Sequence, residues 1–255
     1  MHGSCLQRAR IARRQLAGFA GNFYTCIDFK ENRSEQGCKP ISGGNHVQFI
    51  EQSQVSRAAI ALDITLCMNQ APMRDSAFVD DLRTRFNAGE RMKFLFFWGH
   101  QGVQGEVSAT CLSQWYDSPF VVDGERFLTA EHFMMAAKAK LFGDLKTRIE
   151  ILAALNPGAA KALGRKVEGF DEDIWVQKRF ELVCRANEEK FSQNPHLGRF
   201  LAQTGERVLV EASPIDRIWG IGLAKDDDNV QNPNLWRGLN LLGFALMNVR
   251  RQIHA

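Results

Sequence analysis

Residues 128–140 most constrain the fold, because they have the pattern of a helix with one buried face. Thr129 is a good N-cap, since its hydroxyl can accept a backbone N–H of the first turn. Neither Gly nor Pro follows until Gly143, so helix propensity is not opposed. An apolar stripe with helical spacing comprises Phe133, Met134, Ala137 and Leu141. The sequence therefore predicts an amphipathic helix against which other elements pack.

Two groups capable of chemistry lie on this predicted helix. Glu131 falls in the first turn, where the helix dipole favours a carboxylate. Lys138 lies nearly two turns later, so both side chains share one face, about 10 Å apart along the axis. The pair can project into one pocket, although both side chains can equally be solvated, as most charges on helices are. His132 points about 100° away from Glu131, and we predict a structural role for it.

The loop around residues 214–222 carries the second candidate group. Asp216 precedes Trp219-Gly-Ile-Gly222, where two glycines allow a close backbone approach to a ligand. Trp219 can stack on a flat base or sugar, and the alternative is a glycine turn with a core tryptophan. The third glycine of a dinucleotide fingerprint is missing, so we reject a Rossmann fold. For the acidic run Asp226–Asp228, a solvated loop is favoured over a divalent ion site.

Composition excludes several classes of protein. Up to Arg91 there are 12 Lys and Arg against 9 Asp and Glu, and the remainder of the chain holds 20 of each. The neutral remainder does not indicate a large nucleic-acid footprint and mildly favours a small metabolite. The six cysteines lack C-x-x-C spacing, so we predict free thiols in a reducing compartment rather than a metal site or a disulfide framework. No apolar run approaches the roughly 18 residues of a membrane span.

The chain divides by composition near residue 92. We predict an N-terminal extension over residues 1–91, partly disordered, and a catalytic domain over residues 92–255. The Arg-rich, acid-poor start is compatible with an organelle transit peptide. Short helices are predicted at residues 55–66 and 76–86 within the extension.

The catalytic domain has the signals of a helix-rich α+β fold with a small sheet. Strands are predicted at residues 93–98 and 207–212, and a hairpin at 120–127 around Asp123-Gly124. Further helices are predicted to begin at Pro157, after Asp171 and at Pro195. A seam from Leu235 to Ile253 predicts the last helix.

The candidate groups suit the cleavage of a glycosidic bond. The chain has an acid and an amine on one helix and a carboxylate and a tryptophan on one loop, but no nucleophile elbow, P-loop or HExxH motif. In such a site a carboxylic acid protonates the leaving nitrogen, while a carboxylate or an amine stabilises or traps the sugar carbon.

These motifs together resemble the NADAR/YbiA-like family over about residues 92–253. The resemblance is carried by Phe96–Gly99, Leu112–Tyr116, Thr129–Phe133 with Lys138, Leu163–Arg165, Trp175 with Arg179, Lys190–Phe191, and Asp216–Gly222. It implies a single helix-rich YbiA-like domain with N-glycosidase activity. One branch of the family hydrolyses early phosphoribosylamino-pyrimidine intermediates of riboflavin synthesis, and another removes ADP-ribose from guanine bases. Ile221 stands where some bacterial members have an acid, which leaves both branches open.

The resemblance also implies roles for individual residues. Glu131 matches the catalytic glutamate of the family. Lys138 matches a lysine to which a Schiff base with the ribose C1 is ascribed in the branch that removes ADP-ribose from guanine. Trp175, which alone would be read as a core residue, and Asp216 match two further implicated positions. The predicted substrate-binding residues are Trp98, Gln114, Trp115, Arg165, Lys190, Trp219, Gly220 and Gly222, with Arg165 and Lys190 as phosphate contacts.

The resulting interpretation is a hydrolase without cofactor or metal. Its expected substrate is a phosphoribosyl or ADP-ribosyl small molecule, or an ADP-ribosylated nucleic acid, and we expect a cytoplasmic location without membrane association. A non-catalytic reader of ADP-ribose or NAD is the alternative, but a reader needs no matched acid and amine. A plain helical interaction domain would explain the last helix and not the motifs.

Overall fold

The structure, a computed structural model, describes residues 75–103 and 105–253. Its α-helices are α1 (Ser76–Asn87), α2 (Ala130–Leu141), α3 (Leu145–Leu152), α4 (Pro157–Gly164), α5 (Glu172–Gln193), α6 (Pro195–Gln203) and α7 (Leu241–Ile253). Its strands are β1 (Phe94–Phe97), β2 (Phe120–Val122), β3 (Glu125–Phe127) and β4 (Val208–Glu211). Short 3-10 helices lie at Ala109–Leu112 and Pro233–Leu235. The predicted helix-rich α+β fold is confirmed.

Helix α2 lies at the centre and packs against α3, α4 and α5. It begins where the sequence predicts, because the Thr129 hydroxyl accepts the backbone N–H of His132. Side chains of Asn156 and Asp171 cap α4 and α5 in the same way. Asp144 caps α3, a helix that the sequence analysis did not identify.

The strands form two separate pairs. Strands β1 and β4 are parallel, with Phe94 opposite Val208 and Phe97 opposite Glu211. Strands β2 and β3 form the predicted antiparallel hairpin. Its turn residues have positive φ angles, 51° at Asp123 and 84° at Gly124, as a type I′ turn requires. Because the pair is parallel, β1 ends beside the loop that follows β4, and the N–H of Ala212 donates to the Phe97 carbonyl at 2.9 Å.

Helix α1 requires a correction to the boundary predicted near residue 92. Phe78 stacks on Phe180 of α5, with ring centres 4.5 Å apart, and on Phe244 of α7 at 5.4 Å. The buried side chain of Arg179 also forms an ion pair with Asp75. These contacts join α1 to the domain, which therefore includes the chain from residue 75 onward. The helix predicted at residues 55–66 and the proposed transit segment lie outside the described residues.

The last helix begins later than the sequence predicts. Leu242, Leu246 and Val249 are fully buried, as expected for the seam. Leu235, however, is 47% exposed in a 3-10 helix, and α7 begins only at Leu241. The reason lies at Asn240, whose φ of 54° interrupts a helix and whose side chain binds the backbone of β4. No helix among the described residues is long and apolar enough to cross a membrane.

Candidate active site

The first turn of α2 places Glu131 at the centre of the candidate site. Its backbone N–H donates to the Gln114 carbonyl at 3.0 Å, so the loop before the hairpin closes over the helix N-terminus. The residue is only 2% exposed. Within the described residues, its Oε1 is buried and has no hydrogen-bond partner. The carboxyl is therefore enclosed by protein, with one oxygen whose hydrogen-bonding capacity no described group uses.

Burial is the main influence on the ionisation of Glu131. It raises the pKa of Glu131 to about 7, because a low-dielectric surrounding disfavours the charged form. The positive charges of Lys161 and Arg165 and the Trp115 indole lower that pKa, and the charge of Asp216 raises it. A carboxyl with a pKa near neutrality is suited to general acid catalysis.

A second buried carboxyl interacts with the first. Glu211 is the last residue of β4, and its Oε2 is buried without a hydrogen-bond partner in the described part of the chain. Burial raises the pKa of Glu211 to about 8, the charges of Asp216 and Glu131 raise it too, and Lys161 lowers it. Two carboxyls that interact in this way ionise one after the other, because the first negative charge opposes the second.

Asp216 fixes the loop that follows β4. Its Oδ1 accepts the backbone N–H groups of Ile218 at 2.9 Å and Trp219 at 2.8 Å. Gly220 then passes so close to β4 that a Cβ would lie 2.8 Å from the Glu211 carbonyl oxygen, which explains why glycine is needed. The loop therefore holds the Asp216 carboxylate where its charge acts on both buried glutamates.

Lys138 has hydrogen-bonding and aromatic partners of its own. Its Nζ donates to the Gly164 carbonyl at 3.1 Å and lies 3.9 Å from the centre of the Phe170 ring. The buried Trp175 ring is 5.6 Å from the same Nζ. Burial lowers the pKa of Lys138, and the charge of Glu172 opposes that effect. No ion pair among the described residues joins this amine to the glutamate two turns earlier on α2.

Buried polar groups support the loop that carries Trp115. Lys190 is 0% exposed, and its Nζ donates to the Ser113 carbonyl at 2.8 Å. Gln114 is also buried, and its Oε1 accepts from Asn187 at 3.0 Å. Burial lowers the pKa of Lys190 to about 7. The phosphate contact predicted for Lys190 is therefore wrong, because this enclosed amine serves the loop instead.

The other predicted substrate-binding residues occupy varied positions. Trp98 follows β1 and is 56% exposed. Arg165 caps the C-terminus of α4 and is exposed to solvent, with its charge acting on the Glu131 carboxyl. Gly222 has a φ of 68°, and its N–H donates to the Asp216 carbonyl at 3.1 Å. Their contacts with substrate stay predictions.

Two residues of the site were missed in the sequence analysis. Lys161 lies one turn before Arg165 on α4, with its Nζ 5.8 Å from the centre of the Trp115 ring. Glu211 ends an apolar strand. Each of these two residues had a weak signal in the sequence. A basic residue one helical turn from Arg165 shares its face, and a charged residue directly after three buried strand residues marks a sheet edge.

The fold and the candidate site together define the class of this protein. It is a helix-rich α+β domain whose candidate site contains two buried, interacting carboxyls, and such carboxyls are suited to proton transfer. Residues 96–254 match the NADAR domain family. The chain belongs to this family.

Several relatives extend the comparison. The N-glycosidase R617 of Acanthamoeba polyphaga mimivirus is 40% identical over 168 residues, which are 64% of this chain and 98% of that protein. The N-glycosidase YbiA of Escherichia coli is 31% identical over 135 residues, 53% of this chain and 76% of YbiA. The NMR structure of YbiA matches with a TM-score of 0.53 and 27% identity, covering 65% of this chain and 87% of that structure. The chloroplastic riboflavin biosynthesis protein PYRR of Zea mays is 36% identical over 132 residues, 49% of this chain but only 19% of PYRR.

Proposed function

We propose that this chain is an N-glycosidase, a hydrolase of N-glycosyl bonds. It cleaves the N-ribosyl bond of a phosphorylated ribosylamino compound, such as an early riboflavin-pathway intermediate, or of ADP-ribosylated guanine. The observation that carries this proposal is the buried Glu131 carboxyl, with its raised pKa of about 7 and a free oxygen. The activity in the names of R617 and YbiA, and the pathway in the name of PYRR, support it.

The proposed chemistry begins at the leaving nitrogen. Glu131 donates its proton to this nitrogen as the bond to the ribose C1 breaks, so the base leaves as a neutral group. Positive charge develops on the sugar, and the nearby Asp216 carboxylate stabilises it. The remaining oxygen of Asp216, Oδ2, is not used by the two backbone hydrogen bonds that fix the loop. Water then completes the hydrolysis at C1.

The cations beside Glu131 fit the anionic part of such a substrate. Lys161 lies on α4 and Arg165 is the C-cap residue one helical turn later, and the charges of both act on the Glu131 carboxyl. A phosphate held between them would keep the ribose close to the acid. The Trp115 ring, 5.8 Å from the Lys161 Nζ, offers a flat face for the base.

A substrate panel tests the proposed function and separates its two branches. The full chain is offered a phosphoribosylamino-pyrimidine, its dephosphorylated counterpart and an oligonucleotide with ADP-ribosylated guanine, and free base is quantified by chromatography. We expect turnover of one phosphorylated substrate and much weaker turnover without phosphate. Tight binding of ADP-ribose with no base released from any substrate would instead identify a reader of ADP-ribose.

Lys138 is proposed to trap the ribose C1 as a Schiff base. Its burial lowers the pKa of Lys138, which increases the fraction of neutral, nucleophilic amine. We expect borohydride added during turnover to link the sugar to the protein, with the adduct mapped to Lys138 by peptide mass spectrometry. Lys138→Ala should abolish this adduct, whereas Lys140→Met, which changes an exposed lysine of the same helix, should retain it. An adduct at Lys161, or none in a protein that turns over, would exclude the covalent role of Lys138.

The rate should fall on the alkaline side of the pH profile. Burial raises the pKa of Glu131 to about 7 and that of Glu211 to about 8, and because the two carboxyls interact, the pair loses its two protons in two coupled steps. Above pH about 8 neither carboxyl retains a proton for the leaving nitrogen. We therefore expect kcat/KM to decline above this pH, and a value that continues to rise into strongly alkaline buffer would contradict an acid role for the pair.

A cytoplasmic location is part of the proposal. The described cysteines Cys111 and Cys184 are free thiols, as in a reducing compartment. Burial raises the pKa of each thiol to about 11, so both are unreactive. A fluorescent fusion of the full chain should distribute through the cytoplasm, and its concentration in an organelle would favour the transit-peptide interpretation of the N-terminus.

A further inference from the structure

Glu211 has a side chain whose position is set by the sheet but whose carboxyl has no structural partner. Its backbone N–H donates to Asn240 Oδ1 at 3.0 Å, and its carbonyl accepts from Ile221 at 3.0 Å. In the parallel pair it lies opposite Phe97. The main chain is therefore fixed on both sides, while the buried Oε2 has no hydrogen-bond partner among the described residues.

Charged groups from three elements act on this carboxyl. Asp216 reaches it from the loop after β4, Lys161 from α4 and Glu131 from α2. Glu131 also has a buried oxygen without a partner in the described chain. An unsatisfied buried polar atom costs free energy, because it has lost its hydrogen bonds to water without gaining one from protein. Glu131 and Glu211 are also ionisable and interact with each other, which makes these two carboxyls candidates for contact with a ligand.

We propose that Glu211 is the base of the hydrolysis, accepting a proton from the water that attacks the ribose C1. This inference rests on the proposed N-glycosidase function. The bond between C1 and the leaving nitrogen breaks, and its electron pair stays on the nitrogen, which takes the proton of Glu131. The water oxygen forms a bond to C1, and one water proton passes to the Glu211 carboxylate. If Lys138 has first formed an iminium ion with C1, water adds to that carbon with the same transfer to Glu211. The resulting carbinolamine then breaks its bond between C1 and Nζ, the hydroxyl proton passes to the nitrogen, and the sugar leaves as its aldehyde with Lys138 restored as an amine.

This assignment gives the carboxyl pair a closed proton cycle. The singly protonated pair reacts in the form that has its proton on Glu131, and the reaction leaves one proton on Glu211. Transfer between the two glutamates restores the starting state without a proton from solvent. The chemistry requires one neutral and one ionised carboxyl, which is the state of two coupled acids between their two ionisations.

The pH profile of Glu211→Gln tests the proposal directly. In the wild type we expect a bell, with an acid limb at pH about 7 and an alkaline limb at pH about 8. Glu211→Gln should lower kcat about a hundredfold, as for loss of a general base, with KM little changed. Its acid limb should disappear, and its alkaline limb should move towards the pKa of Glu131, about 7. Exposed Glu206, in the segment leading into β4, supplies the control Glu206→Gln, which should keep the wild-type bell.

Chemical rescue distinguishes a lost base from a disturbed fold. Azide is an anion that attacks C1 without giving up a proton, so it needs no base. Azide should restore base release by Glu211→Gln and yield a ribosyl azide, because Glu131 still protonates the leaving nitrogen. An unchanged bell in Glu211→Gln, or a loss of rate that azide does not restore, would overturn the proposal.

A measurement without turnover separates this inference from the proposed function. Carboxyl carbons of the full chain are labelled with ¹³C-glutamate and titrated by NMR in the wild type and in Glu131→Gln. Removal of the Glu131 charge should lower the pKa of Glu211 in the variant. If no substrate is hydrolysed but this pKa shift is seen, the interaction between the two carboxyls is confirmed and the proposed N-glycosidase function is refuted. If Glu211 titrates identically in both proteins, the pair does not exist and its role as base is refuted.

Discussion

Glu131→Gln is expected to lower kcat about a thousandfold, within the range for loss of a general acid. The amide is nearly isosteric with the carboxyl, but it cannot give a proton to the leaving nitrogen. Steady-state release of free base by the full chain measures this change. Because the N–H of residue 131 still donates to the Gln114 carbonyl, the first turn of α2 should stay in place.

The matched controls for Glu131→Gln separate catalysis from folding. Glu125→Gln removes a partly exposed carboxylate of hairpin strand β3 that pairs with Arg148 of α3, and it should leave kcat nearly unchanged. Glu131→Gln should bind substrate about as well as the wild type, or better, since the group lost acts in the transition state. If Glu131→Gln kept at least a tenth of wild-type kcat, another group would have to be the acid.

Arg179→Met is expected to destabilise the fold by about 3–5 kcal/mol, because it leaves Asp75 buried without its partner. The two side chains are only 6% and 10% exposed. Their ion pair joins the start of α1 to α5, so its loss should also loosen the stacking of Phe78 on Phe180. The free energy of unfolding from chemical denaturation measures the effect.

A double-mutant cycle provides the control for this prediction. Asp75→Leu together with Arg179→Met removes both charges, and we expect it to recover much of the lost stability, because replacing a buried pair by apolar side chains is often nearly neutral. The exposed pair of Arg185 with Asp123 offers a comparison, and Arg185→Met should cost less than about 1 kcal/mol. An Arg179→Met variant as stable as Arg185→Met would show that α1 is not held to the domain by this pair.

Local sequence signals predicted the secondary structure well where capping chemistry was explicit. The caps at Thr129, Asn156 and Asp171 and the turn at Asp123-Gly124 all appear as expected. The start of α7 could not be read in this way, because the left-handed conformation of Asn240 depends on hydrogen bonds to β4, far away in sequence. Helix α1 was assigned to the wrong part of the chain for a similar reason, since its packing partners lie on α5 and α7.

The candidate site was predictable only in part. Motifs identified Glu131 and Asp216, and the structure brings their charges together. Glu131 and Lys138 share a helix face, as predicted, but they do not form an ion pair, because the Lys138 Nζ donates to the Gly164 carbonyl and lies against the Phe170 ring. The place of Glu211 depends on the parallel pairing of strands separated by more than a hundred residues. Such long-range pairing cannot be derived from the pattern of one strand.

The position of Lys190 also depends on packing that its local sequence does not reveal. A lysine near the end of a helix is usually solvated, and a phosphate contact was a reasonable expectation. The structure instead encloses its Nζ against the Ser113 carbonyl, next to the loop that meets the N-terminus of α2. The contribution of Lys190 to the site is thus the position of Gln114 and Trp115, rather than a charge presented to substrate.

The most direct measurement is the release of free base per molecule of enzyme, with wild type and Glu131→Gln compared on the phosphoribosylamino-pyrimidine and on the ADP-ribosylated oligonucleotide. We expect many turnovers of one substrate by the wild type and almost none by Glu131→Gln. Base release at equal rates by the two proteins would contradict the role of Glu131 as the acid. Binding of ADP-ribose by both, with no base released by either, would contradict the assignment as an N-glycosidase.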